Sequence, residues 1–333
     1  MQQTEEKTFE LVPLPNETRA WRGFDLDSNQ GFDLSSNPSS DTGSNHSSDL
    51  SSNPSFDLSS NPSSDLGFKN NKDFSYFLEK LVDKFQPLYV FCFAKHLESS
   101  EKISCFALAS HSYTCDYHLL MVSEKSTRIE HTVQDFANAH YDEGKITILV
   151  HGKESIDKAI GSNNRFFITV YKTAELLYSW NSVPPLVHDA DFDIIAAGTR
   201  TKKFFEHRIS LAQGFIDCAM ECMAKGQHNL CVFNLHQVVE QCCIALIGLH
   251  MDYRCDIHNL RRLIMLCRCF ADEPYQLFFP GDLDDERLFG VLVGSYIKVR
   301  YTEDFCVDAE DLKKLSGYCV SMLKIITAST YPS

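Results

Sequence analysis

Apolar residues change their spacing near Lys202, and that change constrains the fold more than any other feature. Beyond it, FFEHRISLAQGFIDCAMECMAKG and HNLCVFNLHQVVEQCCIALIGLH repeat apolar residues at helical intervals, the first stopped by Gly226. Three more helices are predicted, over residues 257–268, 284–299 and 308–328, with a longer loop at 270–283. Asp308 is the expected cap of the last, and Asp311 falls in its first turn. Helices alone predict a bundle. Before Lys202 the pattern is mixed. Residues 74–85 place Phe74, Phe77, Leu78, Leu81, Val82 and Phe85 on one helical face. Short apolar runs at 88–94, 102–110, 117–123 and 145–151 read as strands, with helices at 128–140, 153–160 and 172–179. Alternating strands and helices predict a small mixed-sheet α/β domain. The expected fold class is therefore α+β/α: an α/β domain over residues 73–182, a linker over 183–202 and an all-α bundle over 203–329.

Residues 1–72 carry little to bury. From Asp25 the chain divides in register into DLDSNQGF, DLSSNPSS, DTGSNHSS, DLSSNPSF and DLSSNPSS, an octad repeat. One leucine and an occasional phenylalanine per unit do not offset the entropy of ordering the backbone, so the tract reads as a disordered tether. A small ordered or calcium-binding array is the alternative, disfavoured by the scarcity of glycine and paired carboxylates. The net charge of -14 argues against a large basic surface, though not against a local groove. No apolar run approaches a membrane span, the N-terminus lacks a secretory pattern, and the thirteen cysteines include no paired CxxC motifs. A cytoplasmic chain with buried thiols, no membrane partner and no cofactor is the expectation.

SYTCDYHLLMV, residues 112–122, places Asp116 and His118 on one face of a strand. Two carboxylates there would suggest a divalent metal; an aspartate and a histidine suggest a different site or the remains of one. Cys218 and Cys222, one helical turn apart, and the adjacent Cys242 and Cys243 allow convergence on a zinc site or burial as small hydrophobes, whereas Cys267 and Cys269 form only a CxC without a matched second pair. Arg254, Arg261, Arg262 and Arg268 form the densest positive region, with Arg261, Arg262 and Arg268 expected on a broad exposed arc; the region faces RNA or forms an ordinary solvated face or dimer rim.

Three stretches carry a resemblance. VVEQCCIALIGLH contains Glu240, IHNLRRLIML contains His258 and Leu260, and SYIKVRYTEDF contains Arg300 and Tyr301. In order and spacing they resemble the HEPN family, helical domains found beside nucleotidyltransferases in prokaryotes. The resemblance implies a HEPN-like bundle, a homodimer through it, and metal-independent RNA cleavage where an arginine is followed after four to six residues by a histidine. Here YTEDFCV follows Arg300 without a histidine. Arg300 offers the cation for developing phosphate charge, and His258 is the candidate base. The bland alternative is a structural polar network of Glu240, His258, Arg300 and Tyr301, with Arg300 paired to Glu240 and Tyr301 packed. The family also implies that a tyrosine near this motif is a target for nucleotide modification.

The α/β part then resembles a fused nucleotidyltransferase. Such domains end one strand in a Gly-Ser turn and the next in two aspartates separated by one residue. Here the turn is FAKHLESS, His118 stands at the second aspartate's place after Asp116, and KITILVH offers no third carboxylate. NRFFITVYKTAELLYS, residues 164–179, looks like the strand and helix that close divergent members. The implied protein is a degenerate nucleotidyltransferase-like domain on a HEPN-like bundle. Its expected role is a non-catalytic or weakly catalytic regulatory module, binding nucleotide, RNA or a protein partner in a defence or toxin–antitoxin setting. A HEPN-type ribonuclease using Arg300 and a purely structural dimerisation scaffold are the alternatives.

Overall fold

The computed structural model describes residues 65–124, 128–183, 194–281 and 284–329. The order is α1 (Asp65–Phe85), β1 (Tyr89–Ser104), β2 (Ala107–Ser123), α2 (Glu130–His140), β3 (Ile146–Gly152), α3 (Lys153–Gly161), α4 (Arg165–Thr173) and β4 (Glu175–Ser179). Helices follow: α5 (Ile194–Ala224), α6 (His228–Met251), α7 (Leu260–Cys267), α8 (Glu273–Phe278), α9 (Asp285–Tyr301) and α10 (Ala309–Ser329). A small mixed four-stranded sheet thus precedes a helical region. Octads up to Ser64 lie outside the described residues, while residues 65–72, expected with the tract, begin α1.

The sheet has the order β3-β2-β1-β4, with β2 and β3 parallel and the other pairs antiparallel. β1 and β2 form one long hairpin around Cys105 and Phe106. KISCFALAS, expected as one strand, is split by that turn. Its two halves pair with each other, Ser104 against Ala107, because a two-residue reversal lets the ribbon satisfy its own backbone. The closing segment also differs from expectation: a helix comes first and a strand second. Asn164 caps α4 by accepting from Phe167 N at 3.3 Å, which starts the helix early. ELLYS then pairs with Tyr89–Cys92, since the free edge of β1 outweighs a helical pattern of only a few residues.

Alternation along the strands gives the sheet two apolar faces. Cys115, Tyr117, Leu119 and Met121 pack with Phe77, Leu81, Val133 and Phe136 of α1 and α2. On the other face, Tyr89, Phe91, Leu120 and Val122 meet Phe166, Phe167 and Val170 of α4 in a core that continues into the bundle. α6 is the bundle's centre, packed by α5, α7, α9 and α10. It is buried nearly all round from Val238 to Gly248, as its apolar composition requires. Among the described residues it alone is long and apolar enough to cross a membrane, but most of it lies inside the bundle. α8, with Pro274 in its first turn, occupies part of the expected loop 270–283.

Polar contacts tie the sheet to the helices. Arg262 of α7 donates to Glu130 Oε1 and to the Ile148 carbonyl, both at 2.9 Å. His151 Nε2 at the end of β3 lies 2.8 Å from Tyr253 Oη, and Asn164 Nδ2 donates to the Asp252 carbonyl at 3.0 Å.

Candidate functional site

Two polar clusters contain the predicted residues. The first is on β2. Asp116 and His118 share the face turned toward the bundle, as strand alternation requires. Asp116 Oδ1 accepts from Lys145 N at 2.7 Å, and its Oδ2 accepts from Arg268 Nη1 at 2.8 Å. Arg268, just past α7, also donates to Glu98 Oε1 at 2.7 Å and Asp272 Oδ1 at 3.3 Å, and its guanidinium lies 4.1 Å over Tyr275. Its side chain is only 3 % exposed. A protein cation therefore occupies the mouth of this strand. Burial raises the Asp116 pKa, countered by the Lys145 amide and Arg268. Burial also drives the His118 pKa down to about 3, helped by Arg268 and His96, so its imidazole is neutral. His118 Nδ1 is buried without a hydrogen-bond partner among the described residues.

This geometry corrects the expected exposed arc of arginines. Arg262 and Arg268 point inward to carboxylates. Arg261 is exposed but is held bidentately by Glu286, at 3.1 and 2.7 Å. Arg254 stacks on Phe204 at 4.8 Å. The cysteines are free thiols, with Cys242, Cys243 and Cys267 buried and Cys218 exposed. Among the described residues, no three His, Cys, Asp or Glu side chains are grouped to hold a metal.

The second cluster joins α6, the start of α7 and the end of α9. Asn259 caps α7 by accepting from Arg262 N, which sets His258 at the helix entrance. His258 Nδ1 lies 3.1 Å from Glu240 Oε1; the imidazole is 64 % exposed, whereas the carboxylate is 5 % exposed. Glu240 and His258 thus meet as expected. Arg300 does not pair with Glu240. Its Nε donates to the Tyr296 carbonyl at 2.7 Å and its guanidinium lies 4.2 Å over the Tyr296 ring. Helix spacing explains this: Arg300 is one turn after Tyr296 on an exposed face. Tyr301, expected to pack, is 76 % exposed.

His236 links the two halves of the cluster and was missed. It stacks on Tyr296 at 5.1 Å, and its Nδ1 lies 3.8 Å from Glu240 Oε2. Burial lowers its pKa to about 4, with His258 and Arg300 adding to the effect. Its position four residues before Glu240 on one helix was the available signal. The arrangement presents an aromatic-backed cation beside a carboxylate-oriented imidazole.

No family model matches this chain, and no curated protein matches it either.

Proposed function

We propose that the chain is a non-catalytic regulatory module that binds RNA through the face around Arg300, on a HEPN-like bundle, and dimerises there. The observation that carries this reading is the placement of Arg300: an exposed guanidinium stacked on Tyr296, without a carboxylate partner among the described residues, beside exposed Tyr301. A cation with adjacent aromatic rings suits phosphate and an unstacked base. Exposed Leu230 on α6 and Ile297 on α9 supply apolar area for a second copy. The sheet reads as a degenerate nucleotidyltransferase-like domain. Arg268 neutralises Asp116, so the carboxylate that would hold Mg²⁺ already has a cation.

A second reading, metal-independent RNA cleavage, is favoured by the Glu240–His258 pair. A carboxylate on Nδ1 leaves Nε2 as a general base, while Arg300 would stabilise phosphate charge. Incubating the protein with structured and single-stranded RNA in chelator separates the readings. The expected result is intact RNA, bound about tenfold more weakly by Arg300→Ala, in line with a lost stacking cation of about 1–2 kcal/mol. Cleavage abolished by both Arg300→Ala and His258→Ala would establish the second reading, and RNA affinity unchanged in Arg300→Ala would sink the first.

A further inference from the structure

Four arginines in the helical region hold carboxylates. Arg261 pairs with Glu286, Arg262 with Glu130, Arg268 with Glu98, Asp116 and Asp272, and Arg287 with Asp284 and Asp311. Around the chain reversal after α6 the pattern breaks. Arg165, Arg200, Arg208 and Arg254 gather there without an ion pair among the described residues, in a chain of net charge -14. Arg165 donates to the Leu249 and His250 carbonyls at the end of α6, and Arg208 donates to Gln241 Oε1. Arg200 donates to the carbonyls of Ser162 and Asn163, at 3.3 and 3.1 Å, which uses two of its five N–H groups. Arg254 makes no hydrogen bond among the described residues. Phe204 holds its guanidinium instead, and a side chain on Gly248 would displace that ring: a Cβ there would lie 2.6 Å from Phe204 Cε1.

Between Arg200 and Arg254 lies a cavity of about 240 Å³, lined also by Ala159, Ser162, Asn164 and Asp252. Among the described residues Asp252 is the one carboxylate in this wall, and both its oxygens are engaged: Oδ1 accepts from Thr201 Oγ1 and Oδ2 from Arg165 N, each at 3.2 Å. Those bonds hold it as part of the frame. The donors left over belong to two exposed guanidiniums, each a planar fork suited to bidentate oxygen recognition.

We propose that this cavity binds a terminal phosphate monoester, the group carried by the 5′ end of an RNA strand or by a free mononucleotide. A dianion with three acceptor oxygens answers two guanidinium forks, and the cavity takes a phosphate with part of its sugar, not a folded polymer. The site is separate from the Arg300 face and does not depend on it.

Fluorescence anisotropy with a 5′-phosphorylated oligoribonucleotide and its 5′-hydroxyl twin tests this, with adenosine monophosphate and inorganic phosphate as competitors. The phosphorylated strand should bind about tenfold tighter, the worth of one charged hydrogen-bond pair, and Arg254→Ala should erase that preference. Arg254→Ala removes an exposed side chain, and circular dichroism checks its fold. Arg300→Ala, run in parallel, should weaken both strands alike and keep the preference, so failure of the Arg300 reading stays distinguishable. If only the mononucleotide binds, again dependent on Arg254, the ligand is the free nucleotide and the phosphate site stands. If the phosphorylated strand, the mononucleotide and inorganic phosphate all show no Arg254-dependent binding, the proposal is overturned.

Discussion

Arg268 holds three carboxylates and an aromatic ring at once, and its loss would expose the cost of that arrangement. Arg268→Ala leaves Asp116 charged and enclosed with Glu98 nearby. A broken buried pair of this kind costs about 3 kcal/mol, the lower end for such pairs because Glu98 and Asp272 stay partly solvated. Urea denaturation should show that loss, and Asp116→Asn in the same chain should restore most of it. At this scale, sequence reading went as far as alternation allows. Asp116 and His118 fall on one face because strand geometry is local. Their partner Arg268 lies 152 residues away, and no local pattern connects a helix-end arginine to a strand carboxylate. His236 was legible from its spacing to Glu240, but its stacking on Tyr296 required α9 beside α6.

Elements place these side chains through a few close approaches. Gly144, in the short connection from α2 to β3, passes so near β2 that an added Cβ would lie 2.2 Å from the Cys115 carbonyl oxygen. The same connection bonds β2 through Cys115 N to Glu143 O and Tyr117 N to Lys145 O, and brings Lys145 N to Asp116. Gly144→Ala should therefore destabilise by about 3 kcal/mol, the upper range for overpacking, with a lowered thermal midpoint as the measurement. Long helices with strong apolar faces were readable because their periodicity repeats over several turns. ELLYS and the Cys105–Phe106 turn were not: five residues fit either period, and a hairpin turn without glycine or asparagine gives no local sign.

At the scale of the molecule, two buried histidines make stability depend on acid. His118 and His236 stay neutral in the fold, with pKa values of about 3 and 4 against an ordinary 6.5, because burial penalises their charged forms. The unfolded chain binds protons first as pH falls, so their stabilising contribution is complete above about 6.5 and is lost progressively toward pH 4 and then 3. Asp116, whose pKa is raised, works in the opposite sense at the acid end of that window. Denaturant midpoints between pH 7 and 5 should fall for the wild type and fall less steeply for His118→Leu. By itself, the amino-acid order determined a sheet-bearing part followed by helices and the facing of Asp116 and His118, because those follow from periods of two and 3.6 residues. Only the tertiary structure decided that Arg268 closes the strand's mouth, that Arg300 lies on Tyr296 and not on Glu240, and that Arg200 and Arg254 flank one cavity. Each depends on which distant elements pack together, and charge pairing across such a distance leaves no periodic trace in the chain.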